Sequence, residues 1–154
     1  MTPTDPLPLH HSWPLADIDQ RFDLGRLYDE PPHGEDGPVL PPPGAVAPGV
    51  WACDLADNAL CWSGEVYRLF GLPRGDPLAR ATAVSLYDEP SRAAMERLRA
   101  HAIRHRRGFT LDVAIVPPGA RRRWVRLVAA PICDGGRVVR LHGCKSDVSH
   151  LYSR

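Results

Sequence analysis

Eleven of the chain's seventeen prolines lie in its first 48 residues, and that distribution decides where a compact fold can form. Proline fixes φ and has no N–H, so the run from Pro38 to Pro48 (PVLPPPGAVAP) favours extended polyproline conformation over helix or sheet. A folded module is expected beyond it, from Gly49 to Ser149. Roughly 100 residues bury an adequate core without a staple.

Charge divides at the same place. Residues 1–36 hold eight acids against Arg21 and Arg26, whereas residues 37–154 hold 17 basic and 10 acidic side chains. In the acidic segment Leu15, Ile18 and Phe22 follow helical spacing, with Leu27 and Tyr28 just beyond and Gly25 interrupting. It reads either as a short amphipathic helix docking on the folded domain or on a second copy, or as a solvated tail. The organisation expected is an acidic extension (1–36), a Pro-rich linker (37–48), a domain (49–149) and a tail (150–154).

Hydrophobic residues make up 44% and charged residues 24%, an ordinary globular balance, and the net charge of +1 exerts no overall pull on nucleic acid or membrane. There is no apolar run of spanning length and no basic start followed by an apolar core, so a cytoplasmic protein is expected. The four cysteines form no CxxC pair; they read as reduced, mostly buried thiols.

From Gly49 the periodicity changes. Val50–Leu55 and Asn58–Trp62 read as strands joined by a turn at Asp57-Asn58, and Ser63 as the N-cap of a short helix that Gly71 ends. Residues 72–85 contain Pro73, Gly75 and Pro77 and read as irregular, with one short turn. Asp88 or Glu89 caps a longer helix with Pro90 near its start and Gly108 as its stop. Along it Met95, Leu98 and Ala102 share a face, while Arg92, Arg97, Arg99 and Arg104 face out. Strands at 109–115, 123–132 and 137–146 follow, separated by Pro117-Pro118-Gly119 and Asp134-Gly135-Gly136. The fold class is therefore α+β: a five-stranded antiparallel sheet with helices on one face.

Four stretches carry a resemblance. Gly49–Leu55 (GVWACDL), Trp62-Ser63-Gly64-Glu65 running to Gly71, Arg123-Trp124-Val125, and Gly143-Cys144-Lys145-Ser146-Asp147-Val148-Ser149 together resemble a PAS domain, particularly the subfamily with a tryptophan-rich sheet. The resemblance implies a sensory or regulatory module that encloses a ligand between sheet and helices. It turns Val125, Leu127, Ala129, Val139, Leu141, Gly143 and Lys145 inward, with Met95, Leu98 and Ala102 closing the pocket. Lys145 then needs an anionic ligand or a path to water past the pocket edge. The opposite face, bearing Trp124, Arg126, Val128, Arg140, His142 and Cys144, is the expected contact for the N-terminal segment or another subunit. Asp147 stands where a signal leaves such a domain, and is otherwise a structural carboxylate at a strand end.

The cofactor remains open. Residues 72–88 contain no cysteine, so the adduct chemistry of flavin photosensors is not expected. Haem would need His101 or His105, and these are more simply read as helix-terminal residues favoured by the dipole. The basic runs Arg104–Arg107 and Arg121–Arg123 read as docking sites for an acidic segment rather than for nucleic acid. No nucleophile elbow, phosphate loop, acid pair or metal triad points to an enzyme. With five residues after Ser149, a signal is expected to leave through a partner, such as a histidine kinase or another regulator, or through a homodimer. A constitutive dimerisation or adaptor module without ligand is the alternative.

Overall fold

Two turns organise the chain. Asp57 Oδ1 accepts from the Ala59 N–H and Asn58 takes a left-handed conformation (φ 58°), turning β2 (Gly49–Asp54) into β3 (Leu60–Trp62). Gly135 and Gly136 turn β5 (Arg123–Asp134) into β6 (Arg137–Asp147). Between these hairpins lie α1 (Gly64–Phe70), α2 (Arg80–Ser85), α3 (Glu89–His105) and β4 (Arg107–Ile115). A strand β1 (His10–Pro14) precedes them. This computed structural model describes residues 10–18, 49–74 and 78–152. The linker, and Phe22, Leu27 and Tyr28, lie outside the described residues.

The strands form one antiparallel sheet in the order β1-β4-β5-β6-β2-β3. The class is the α+β one expected, with helices on one face, but the sheet has six strands instead of five. The sixth comes from the acidic extension. Trp13 lies opposite Gly108, fully buried, and its indole N–H donates to Thr110 Oγ1 at 3.1 Å. A Cβ on Gly108 would stand 2.2 Å from the indole ring, so that close approach requires glycine. Arg107 donates to the Ser12 hydroxyl (2.9 Å) and carbonyl (3.2 Å). One arginine of the basic cluster therefore docks the extension, through neutral oxygens rather than acids.

Leu15 opens a 3-10 turn (Leu15–Asp17) and Ile18 follows as its C-cap, while the rest of the expected helix lies outside the described residues. Leu15 and Ile18 pack with Trp13 against Val128, Ala130 and Cys144 on the outer face of the sheet.

The inner face carries the main core. Phe109, Leu111, Val113 and Ile115 of β4 and Val125, Leu127 and Ala129 of β5 meet Val66, Leu69 and Phe70 of α1, Ala83 of α2, and Met95 and Ala102 of α3. Asp88 caps α3 by accepting from the Ser91 N–H at 3.0 Å.

Further expectations are corrected. Residues 72–85 are not irregular throughout but contain α2, whose N-cap is Ala79 with no side-chain bond, so no local signal marks it. Helix α3 ends at Arg106 in the left-handed region (φ 55°), not at Gly108, which belongs to β4. Ser63 holds the N-cap position, yet its hydroxyl accepts from the Val50 N–H (3.0 Å), tying the start of α1 to β2. No disulfide joins the four cysteines, but only Cys53 and Cys144 are buried; Cys61 and Cys133 are exposed. No helix among the described residues is long and apolar enough to cross a membrane.

Candidate functional site

A cavity of about 50 Å³ lies between the inner face of β5 and β6 and the helices α2 and α3. Its most unusual wall is Lys145, which is 6% exposed. Leu127 on one side and Gly49 on the other flank it in the sheet. The ammonium Nζ stands 4.6 Å from the ring centre of Phe70, 5.1 Å from Trp62 and 5.3 Å from Trp51. Its one hydrogen-bond partner among the described residues is the Tyr87 hydroxyl, at 3.5 Å. Among the described residues no carboxylate pairs with it; the ion pairs there engage Arg68, Arg80, Arg122, Arg126 and Arg140.

That environment penalises the charge. Burial pushes Lys145 down to about 7, with Cys53 opposing the shift and the Arg80 cation adding to it. Burial likewise raises the Tyr87 hydroxyl well above its ordinary value, so it stays protonated. The negative faces of the rings partly offset the ammonium's lost hydration, and none of them neutralises it. The water route considered for Lys145 is therefore not taken.

The cage follows from the hairpin. Trp51 and Trp62 are cross-strand partners on β2 and β3, and α1 returns Phe70 beneath them, its ring 4.8 Å from that of Trp62. Trp51 lies opposite Gly143 and donates its indole N–H to the Val128 carbonyl at 3.3 Å. A Cβ on Gly143 would fall 1.7 Å from that same oxygen, so glycine opens the space in which indole and carbonyl meet. Trp62 has no comparable acceptor: its buried Nε1 makes no hydrogen bond among the described residues.

Of the residues expected to line a pocket, Met95, Leu127, Leu141 and Lys145 border this cavity. Val125, Ala129 and Ala102 are buried in the surrounding core, and Gly143 lies beneath Trp51. Leu98 lines a separate groove with His11, Ser12, Ala94, Arg97 and His101. Val139 is no part of the cavity wall, because a bulge opposite Ile132 and Cys133 breaks the alternation of β6 there. Arg80, Ala83 and Tyr87 went unforeseen because they belong to α2 and the turn after it. Arg99, expected to face out, borders the cavity and donates to Asn58 Oδ1 at 3.1 Å.

His101 and His105 are both exposed and lie against each other, ring centres 4.5 Å apart, away from the cavity. His105 does not share the buried face of Ala102. No group of three or more metal-ligating side chains occurs among the described residues.

The outer face is largely occupied by the chain itself. Val128 is sealed beneath Trp13, and Arg126 makes a two-pronged bond to the buried Asp112 (2.8 and 3.0 Å). The Tyr152 hydroxyl donates to the same carboxylate at 2.5 Å, and its ring stacks on Trp124 at 4.2 Å. Of the residues expected on the contact face, Arg140, His142 and Cys144 line the open part, beside exposed Val50 and Ile132, and Trp124, Arg126 and Val128 do not. Asp147 accepts from the Ser149 N–H at 2.8 Å, and the Ser149 hydroxyl accepts from the Trp124 N–H, so the carboxylate fixes the chain's path off β6.

Solved structures share this architecture. The N-terminal domain of a diguanylate cyclase with PAS/PAC sensor from Marinobacter aquaeolei matches 69% of this chain and 99% of its own length at 16% identity, with a TM-score of 0.63. The fold is that of a PAS domain. An RNA-binding light-oxygen-voltage receptor matches 70% of the chain at 18% identity and a TM-score of 0.61, and this chain spans 31% of that receptor. A sensory box histidine kinase/response regulator from Burkholderia thailandensis matches 67% of this chain and 78% of its own at 17% identity and a TM-score of 0.57. No protein-family model and no curated protein matches the sequence. The PAS fold places the Lys145 cavity between sheet and helices, where the resemblance put a ligand.

Proposed function

We propose that this PAS-fold chain is a sensory or regulatory module of signal transduction, holding a small ligand in the Lys145 cavity and passing its occupancy to a partner protein. The observation that carries the reading is the buried ammonium without a counter-charge among the described residues. A chain selected for stability alone gains by placing an apolar side chain there. The structural likeness to domains of a sensory histidine kinase and of a diguanylate cyclase supports the same class. On this reading the module binds and relays, with no chemistry of its own, and a histidine kinase or similar regulator is the kind of partner it serves.

A second reading draws on a different observation. Val50 (52% exposed) and Ile132 (39%) border an open groove on the outer face of β2, β3 and β6. Two copies meeting there make a homodimer, with or without ligand.

A thermal-shift screen of small metabolites tests the ligand reading. At least one compound should raise the melting temperature of the full chain but not of Ala83→Val, which fills the cavity from α2. A screen in which every stabilising compound acts equally on Ala83→Val contradicts it.

A further inference from the structure

We infer that the cavity takes a compact carboxylate or similar small oxoanion, its charge met by Lys145 and its oxygens by the Tyr87 hydroxyl and the Trp62 indole N–H. The inference rests on the sensory reading above and names the ligand class that reading leaves open.

Three observations carry it. The first is charge. Lys145 Nζ is enclosed by Trp51, Trp62 and Phe70 and has no acidic partner among the described residues. Arg80 and Arg99 add positive potential at the wall, although Glu96 pairs with Arg80 and Asn58 takes the Arg99 donor. A cationic ligand is repelled by all three. A neutral apolar one leaves the ammonium uncompensated, which costs several kcal/mol in a buried site.

The second is hydrogen bonding. Buried donors nearly always find acceptors, yet Trp62 Nε1 has none among the described residues. The Tyr87 hydroxyl sits beside Lys145 with its proton retained. All three side chains line the cavity, and a carboxylate supplies only acceptors.

The third is size. At about 50 Å³ the cavity has room for roughly three to five waters at about 10–15 Å³ each. That suits an acid of about two or three carbons rather than an aromatic cofactor. Leu127, Leu141 and Met95 give the hydrocarbon end an apolar wall.

The test is a ¹H–¹⁵N NMR titration of the full chain with sodium acetate, against sodium chloride at equal ionic strength and against acetamide. Acetamide has nearly the shape of acetate without its charge. Acetate should give saturable shifts at the amides of Leu127, Leu141 and Lys145, with acetamide about tenfold weaker or more. Lys145→Met should lose about tenfold or more in acetate affinity, and Trp62→Phe, which keeps a ring but not the N–H, should lose severalfold. Equal binding of acetate and acetamide, or undiminished acetate binding by Lys145→Met, overturns the anion inference while leaving a ligand cavity intact. No perturbation by either probe overturns the inference and counts against the ligand reading as well.

Discussion

Replacing Lys145 by methionine should stabilise this protein, and the size of the gain can be worked from the cage. The ammonium is held at about 7 against an ordinary 10.5, chiefly by burial. At about 1.4 kcal/mol per pH unit, that depression costs roughly 5 kcal/mol in the folded state. Against this stands the attraction of three aromatic faces, about 2 kcal/mol at a desolvated site, which the substitution also removes. Methionine keeps the length of the side chain and makes favourable sulfur contacts with the same rings. The net gain is about 3 kcal/mol at pH 6, which for a domain of this size raises Tm by about 10 °C.

The pH dependence gives the sharper check. Between about 7 and 10.5 the unfolded chain holds the Lys145 proton and the folded chain does not, so wild-type stability rises with pH across that window. Below 7 both states are protonated and the full cost is present. The advantage of Lys145→Met should therefore be constant below pH 7, fall by about 1.4 kcal/mol per pH unit above it, and vanish near pH 9. Urea unfolding of both chains at pH 6, 7.5 and 9 measures the difference, and thiols and other groups titrating in both cancel. A variant less stable than wild type at pH 6, or a difference flat from pH 7 to 10, refutes the claim of an uncompensated charge.

Other expectations concern what closes the fold. Trp13→Ala should cost about 3 kcal/mol or more in urea unfolding, because a fully buried indole and its bond to Thr110 are lost; a change near zero would mean that β1 does not pack in solution. Gly108→Ala should disturb the same contact, giving a similar loss that Trp13→Ala makes non-additive in a double-mutant cycle. Asp112→Ala should destabilise by about 3 kcal/mol, leaving the partly buried Arg126 without its carboxylate, and Tyr152→Phe by about 1 kcal/mol. Under native alkylation Cys61 and Cys133 should react well before Cys53 and Cys144; equal rates would contradict the burial.

What the sequence revealed was whatever local chemistry dictates. Asp88 at the start of α3, Asn58 and Gly135-Gly136 at the hairpins, and the alternation of 109–115 each specify conformation through neighbours a few residues away, and the structure places them accordingly. The failures are contacts over long separations. Nothing in His10–Pro14 announces an edge strand, because its anchor is the bond from Trp13 to Thr110, 97 residues on, and the space left by Gly108. Helix α2 escaped notice for want of a capping side chain, and with it went Arg80, Ala83 and Tyr87 from the cavity wall. The inward direction of Lys145 followed from the PAS resemblance, but the aromatic cage did not, since it assembles from β2, β3, α1 and β6.

The most direct test of a ligand held at Lys145 is native mass spectrometry of freshly purified full chain beside Lys145→Met. The account predicts that wild type carries a non-covalent mass, lost on denaturation, that Lys145→Met lacks. Both proteins flying at the bare polypeptide mass, or both carrying the same addition, would contradict it.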